Sequence, residues 1–188
     1  YSQQMLRSVI SATPNIRMHT LQSLTEQLAT HGLADHRHIK LQDDLTSFPD
    51  ILYQLADTLE VLDLSGNRLT TLPDALTRFT QLRILFASNN PFTELPRVLG
   101  RMPQLEMVGF KACQIREVPA DSLPPQLRWL ILTDNQIGEL PEALGERPRL
   151  QKLMLACNQL RALPDSLAGC NKLELLRISG NQFSALPD

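Results

Sequence analysis

The residues with the most obvious chemical potential lie near the start of the chain. His31, His36 and His38, with His19 earlier, form the one histidine cluster, and His36-x-His38 on a strand would offer two nitrogens to a metal. No cysteine or acidic pair completes the set, so no metal is expected and the histidines read as a solvated surface. Asp43-Asp44 reads as a turn rather than an acid pair. Cys113, Cys157 and Cys170 are odd in number and lack tight pair spacing, which points to reduced thiols rather than a disulfide framework. There is no G-x-G-x-x-G after a strand, no H-R-D, no D-F-G and no Ser/His/Asp arrangement with supporting context. Neither a catalytic residue nor a cofactor is expected in this chain.

The formal net charge of -2 across 188 residues and a pI near 6.1 leave no basic footprint. Nucleic acid and anionic membranes are therefore not the expected partners. No apolar run of membrane-spanning length and no export signal occur, so a cytoplasmic chain is expected.

The elements that would position any site come from a repeat. Leu59-Glu-Val-Leu-Asp-Leu-Ser-Gly-Asn-Arg-Leu-Thr-Thr-Leu-Pro73 recurs with conservative changes in units starting at Leu82, Leu105, Leu127, Leu150 and Leu173. The intervals are 23, 23, 22, 23 and 23 residues, and each unit ends in a proline, at 73, 96, 119, 141, 164 and 187. The pattern L-x-x-L-x-L-x-x-N-x-L-x-x-L-P resembles that of the leucine-rich repeat family over roughly residues 36 to 188. The resemblance implies an α/β solenoid with a parallel sheet on its concave side and short helical or 3₁₀ segments on its convex side.

Residue physics leads to the same place. Period-2 alternation sends Leu62 and Leu64 to one face and Val61, Asp63 and Ser65 to the other. A lone strand with one apolar face is unstable, so the units must stack. Asn67, Asn90, Asn135, Asn158 and Asn181 sit where the chain leaves each strand, with Cys113 in that place in the third unit. Amides there can satisfy backbone groups of adjacent coils, forming an asparagine ladder that the cysteine should weaken locally.

Segments after each proline, such as DALTRF from Asp74, read as short convex turns with a carboxylate near the positive end. The third unit departs: ADSLPPQ, with Pro124-Pro125 and one residue fewer, predicts an extended, non-helical return. Arg147 takes a position filled elsewhere by Phe79, Met102 and Cys170, and is expected to bury its stem with its head in solvent.

Three segments are expected. Residues 1 to 17 read as a flexible or vector-derived extension, with Met18 as the native start. Residues 18 to 58 read as an N-terminal helical cap with an irregular first repeat: Leu21, Leu24 and Leu28 mark an amphipathic helix, Thr20 its N-cap and Gly32 its stop. Residues 59 to 188 make six repeats, the last cut short, which suggests a longer natural polypeptide.

Outward-facing columns carry the functional expectation. Ile84, Phe86, Met107, Trp129, Ile131 and Met154 form an exposed apolar patch for a protein or peptide partner. The preceding column, Glu60, Arg83, Glu106, Arg128, Gln151 and Glu174, reads as ion-pair register support. Stretches such as LADTLEVLDLSGN and LGERPRLQKLMLA resemble proteobacterial proteins in which leucine-rich repeats precede a protein-kinase-like domain. That resemblance implies a non-catalytic sensing or substrate-recruiting arm. The alternative is the substrate-recognition region of a secreted bacterial effector with a ubiquitin-ligase domain, which the dominant 23-residue period disfavours.

Overall fold

The computed structural model describes residues 17–32 and 36–184. The expectations for residues 1 to 16 and for Leu186-Pro187-Asp188 lie outside them. Eight parallel strands follow in chain order: β1 (Met18–His19), β2 (His38–Leu41), β3 (Val61–Asp63), β4 (Ile84–Phe86), β5 (Met107–Gly109), β6 (Trp129–Ile131), β7 (Lys152–Met154) and β8 (Leu175–Arg177). Every neighbour is the next strand in sequence, the arrangement a stack of coils imposes. Registers match the repeat: Leu62 lies opposite Leu85, Leu85 opposite Val108, and Val108 opposite Leu130.

Between β1 and β2 runs α1 (Leu21–His31), which buries Leu24 and Leu28. Thr20 caps it, accepting from the Ser23 N–H while the Ser23 hydroxyl accepts from the Thr20 N–H, and the Gly32 N–H closes it on the Leu28 carbonyl. The Asp43 carboxylate takes the Leu21 N–H at 2.9 Å, so this acid serves the positive end of α1. Strand β1 is an element the sequence reading lacks; Met18 pairs with Lys40 in the ordinary register.

The convex side carries 3₁₀ turns at Asp50–Leu55, Asp74–Arg78, Arg97–Arg101, Ala120–Ser122, Glu142–Glu146 and Asp165–Gly169, each directly after a proline. The third unit's fully extended return is corrected: the Ser122 N–H and hydroxyl both reach the Pro119 carbonyl, holding one short turn before Leu123 extends. The head of Arg147 is also not left to water. Its Nη1 donates to the Leu123 carbonyl at 3.0 Å, and its Nε is buried without a partner among the described residues. The shortened coil leaves a carbonyl that the next coil's guanidinium reaches back to satisfy.

The core lies between sheet and convex turns, where Leu62, Leu85, Val108, Leu130 and Leu153 are wholly buried. Ala87 stands where other units have Leu64 or Leu132, and Phe92 and Phe110 pack edge-on at 5.0 Å nearby in the core. At the far end Leu173, Leu176, Ile178 and Phe183 are only partly buried.

The amides at the strand exits bridge coils. Asn135 Nδ2 donates to Phe110 O and Leu132 O, both at 2.9 Å, while its Oδ1 accepts from the Ile115 N–H at 3.0 Å. Asn67, Asn90, Asn158 and Asn181 repeat the arrangement. Cys113 contributes only long Sγ contacts, to Ala87 O at 3.4 Å and Lys111 O at 3.7 Å. Burial pushes its thiol pKa up, opposed by backbone N–H groups of Asn90, Asn89 and Phe92. The residue before each rung has positive φ: Gly66, Asn89, Ala112, Asp134, Cys157 and Gly180.

Candidate functional site

Each central strand sends its first and third residues to the concave face, and the 23-residue period stacks them into columns. Val61, Ile84, Phe86, Met107, Trp129, Ile131 and Met154 gather there into a second hydrophobic cluster, separate from the core, with Leu175 packed against it. All six residues of the expected patch are members.

Their exposure corrects the expectation. Each member is between 4% and 9% exposed, so the patch is a sealed pad rather than an open one. Strands roughly 4.8 Å apart set large side chains of one column against each other, and mutual packing removes most of their surface from water. Polar neighbours close the rest. Lys152 Nζ lies over the Trp129 ring, 4.0 Å from its centroid, and Trp129 Nε1 donates to Gln151 Oε1 at 3.2 Å. Gly109 leaves room beside β4, and the Phe86 ring fills it.

The charged column before the strands does more than hold register. Arg128 Nη2 donates to Gln151 Oε1 at 3.1 Å, and Gln151 Nε2 donates to Glu174 Oε2 at 2.9 Å. Arg83 and Arg149 approach Glu106 at 4.0 and 3.5 Å, and His38 approaches Glu60 at 3.9 Å. Apart from His38, these side chains line two clefts along the N-terminal ends of the strands. One, of about 480 Å³, is walled by Arg128, Arg149, Gln151, Asn171, Lys172 and Glu174; the other, of about 240 Å³, lies by Arg83 and Glu106. The alternating signs were legible in the sequence, but not that Arg149 and Lys172, from the preceding turns, face them.

The histidines are placed differently from expectation as well. His19 and His36 are buried, not solvated. His19 lies on β1 where it pairs with β2, its Nδ1 3.2 Å from Ser23 Oγ. Among the described residues no three His, Cys, Asp or Glu side chains form a metal-sized group. Asp44 approaches Arg68 at 3.8 Å and Asp43 binds α1, so the two carboxylates serve different partners. All three cysteines are free thiols, Cys157 exposed. Among the described residues no helix is long and apolar enough to cross a membrane.

Comparison with known proteins follows the same repeat. A family described as "Leucine rich repeat" matches residues 125–183, and one described as "Leucine Rich repeats (2 copies)" matches residues 57–99. The human leucine-rich repeat and calponin homology domain-containing protein 1 is 31% identical over 105 residues, 56% of this chain and 14% of that protein. This chain thus spans about a seventh of that relative's length. Among solved structures, the leucine-rich repeat ectodomain of the Arabidopsis thaliana receptor kinase GASSHO1/SCHENGEN3, in complex with Casparian strip integrity factor 2, is 28% identical. Its TM-score is 0.67, covering 88% of this chain and 20% of that one. A TLR13–ssRNA13 complex is 30% identical at TM-score 0.67, covering 79% and 21%. A Leptospira interrogans leucine-rich repeat protein is 26% identical at TM-score 0.59, covering 79% and 44%. Because one of these neighbours holds RNA, the expected exclusion of nucleic acid finds no support here. Leucine-rich repeat domains are generally protein-recognition scaffolds and typically non-catalytic. With eight parallel strands in sequence order, an asparagine recurring at five of the strand exits and repeat matches across both halves, this chain belongs to the leucine-rich repeat proteins.

Proposed function

We propose that the chain is a recognition module whose concave face engages a protein segment, as the sensing or substrate-recruiting arm of a larger bacterial kinase-like protein. The observation that carries this reading is the second hydrophobic cluster: seven apolar side chains gathered on the sheet face opposite the core, with Leu175 the one further apolar residue packed against them among the described residues. A face with purely structural duty is served by polar outward residues, as the Ser65, Ser88 and Thr133 column is. Aromatic and methionine side chains grouped on a curved surface have the composition of interface anchors. The complex formed by the Arabidopsis receptor-kinase ectodomain supports the association of such a fold with a kinase arm. The resemblance to proteobacterial repeat proteins supports the bacterial setting.

Since Trp129 is packed, replacing it tests stability and binding together. Thr133 is the better probe, half-buried two residues beyond Ile131 with no hydrogen bond from its side chain among the described residues. Short peptides selected from a random display library on the immobilised chain should lose binding to Thr133→Arg, whose added bulk reaches back over the Ile131 end of the pad, while its melting curve stays put. Binders indifferent to Thr133→Arg, or no binders at all, overturn the concave-face reading.

A further inference from the structure

The pad alone is a poor grip. Its members expose less than a tenth of their surface, so a partner gains little apolar burial from any one of them. Anything that binds tightly must also use the polar flank, and the flank is electrically uneven. In the smaller cleft the acids Glu60 and Glu106 balance Arg83 and Arg149. In the larger, three cations, Arg128, Arg149 and Lys172, face one carboxylate, Glu174.

The cations of the larger cleft are also under-partnered. Arg128 donates to the neutral amide of Gln151. Lys172 has no hydrogen bond or ion pair among the described residues. Arg149 meets Glu106 at 3.5 Å, within reach of both clefts. Glu174 is itself engaged by Gln151. Positive charge converging in a concave space without matching carboxylates is complementary to an anion supplied from outside.

We infer that the cleft between Arg128, Arg149 and Lys172 receives an acidic side chain of the partner segment whose apolar residue lies on the concave pad, so that the ligand is an acidic peptide. This rests on the concave-face reading and names its partner's chemistry. Gln151 makes the two surfaces one site: its Oε1 takes both the Arg128 guanidinium and the Trp129 indole N–H, so the cleft wall and the pad's aromatic anchor meet at a single amide. A guanidinium offers parallel N–H groups that match a carboxylate, and Asn171 adds an amide at the rim. A space of about 480 Å³ suits one or two side chains. A polyanion would need cations continued along the edge, and the neighbouring cleft interrupts them with Glu60 and Glu106.

The test extends the peptide selection. Wild-type chain should enrich peptides carrying Asp or Glu within a few residues of a large apolar side chain. R128Q/K172Q, which removes two exposed or half-buried charges and no core contact, should keep its melting curve and bind those peptides roughly tenfold more weakly. It should hold peptides with Gln in place of the acid as well as wild type does. Enrichment without acidic bias, or acidic peptides bound equally by R128Q/K172Q, overturns the inference while leaving the concave-face reading intact. Loss of all binding in Thr133→Arg together with acid-dependent binding in wild type supports both; binding unaffected by Thr133→Arg sinks the parent reading instead. An oligothymidylate bound more tightly than the selected peptides, and lost in R128Q/K172Q, would overturn the peptide assignment in favour of nucleic acid.

Discussion

The Phe86 ring lies over Gly109 on the adjacent strand, so closely that a Cβ on that glycine would stand 2.6 Å from Phe86 Cδ1. Gly109 is therefore the recess that lets the ring lie flat and seal the pad. Gly109→Val should lift the ring and cost about 1–3 kcal/mol through overpacking. In a Phe86→Ala background the same change should cost much less, since the obstructing ring is gone. Urea melts of the four proteins measure the coupling; additive values would mean that the ring is not what the new side chain meets.

The ladder predicts opposite signs at two rungs. Asn135→Leu strands the Phe110 carbonyl and the Ile115 N–H in the interior, leaves the Leu132 carbonyl to Asn158 alone, and should destabilise by roughly 1–3 kcal/mol. Cys113→Asn restores the amide to a rung where sulfur now makes two long contacts, and should stabilise by up to about 1 kcal/mol. Denaturant midpoints of both variants decide this; a neutral Asn135→Leu would remove the energetic role given to these amides.

How much was legible follows from what periodicity encodes. A leucine every 23 residues fixes coil length, strand register and which side chains face inward, and Leu62, Leu85 and Leu130 sit where the pattern puts them. Alternation tells which face a side chain takes, but not how tightly neighbours on that face close over one another. Trp129 and Phe86 were for that reason read as exposed. Strand β1 escaped because the two residues Met18 and His19 carry no period of their own, and the buried His19 lies on it. The turn of Ala120–Ser122 was hidden by the two prolines after it, which end the turn without preventing it. The left-handed position before each rung shows as glycine only at Gly66 and Gly180 and is masked elsewhere by Asn89, Ala112, Asp134 and Cys157.

That masked column yields a stability prediction. Cys157 has φ +58° and Ala112 φ +54°, a region that costs a side-chain-bearing residue roughly 1–2 kcal/mol. Glycine there gains the conformation and loses some unfolded-state restriction. Cys157→Gly and Ala112→Gly should each stabilise by about 0.5–1 kcal/mol, and Cys157→Val should destabilise, because a β-branched residue tolerates this region least. Thermal melts under reducing conditions read the difference; a Cys157→Val protein as stable as Cys157→Gly would contradict it.

The N-terminal coil should respond to acid. His19 lies on β1 opposite Leu41 of β2, and burial, helped by His36 and Arg17, holds its pKa below the ordinary 6.5. The unfolded chain then takes up a proton at a pH where the folded one does not, so the stability tied to neutral His19 is fully present above pH 6.5 and is lost as pH falls through the lowered folded value. Because β1 and α1 are joined at this end, amide protons of Leu24, Leu28 and Gln42 should lose protection first as the solution is acidified below 6.5, while those of β5 and β6 hold. His19→Gln, which keeps a polar side chain near Ser23 but cannot take up a proton in this range, should flatten that dependence. Hydrogen exchange followed by pH jump measures it, and an N-terminal coil whose protection falls in step with β5 and β6 in both proteins would show that His19 has no part in the acid response.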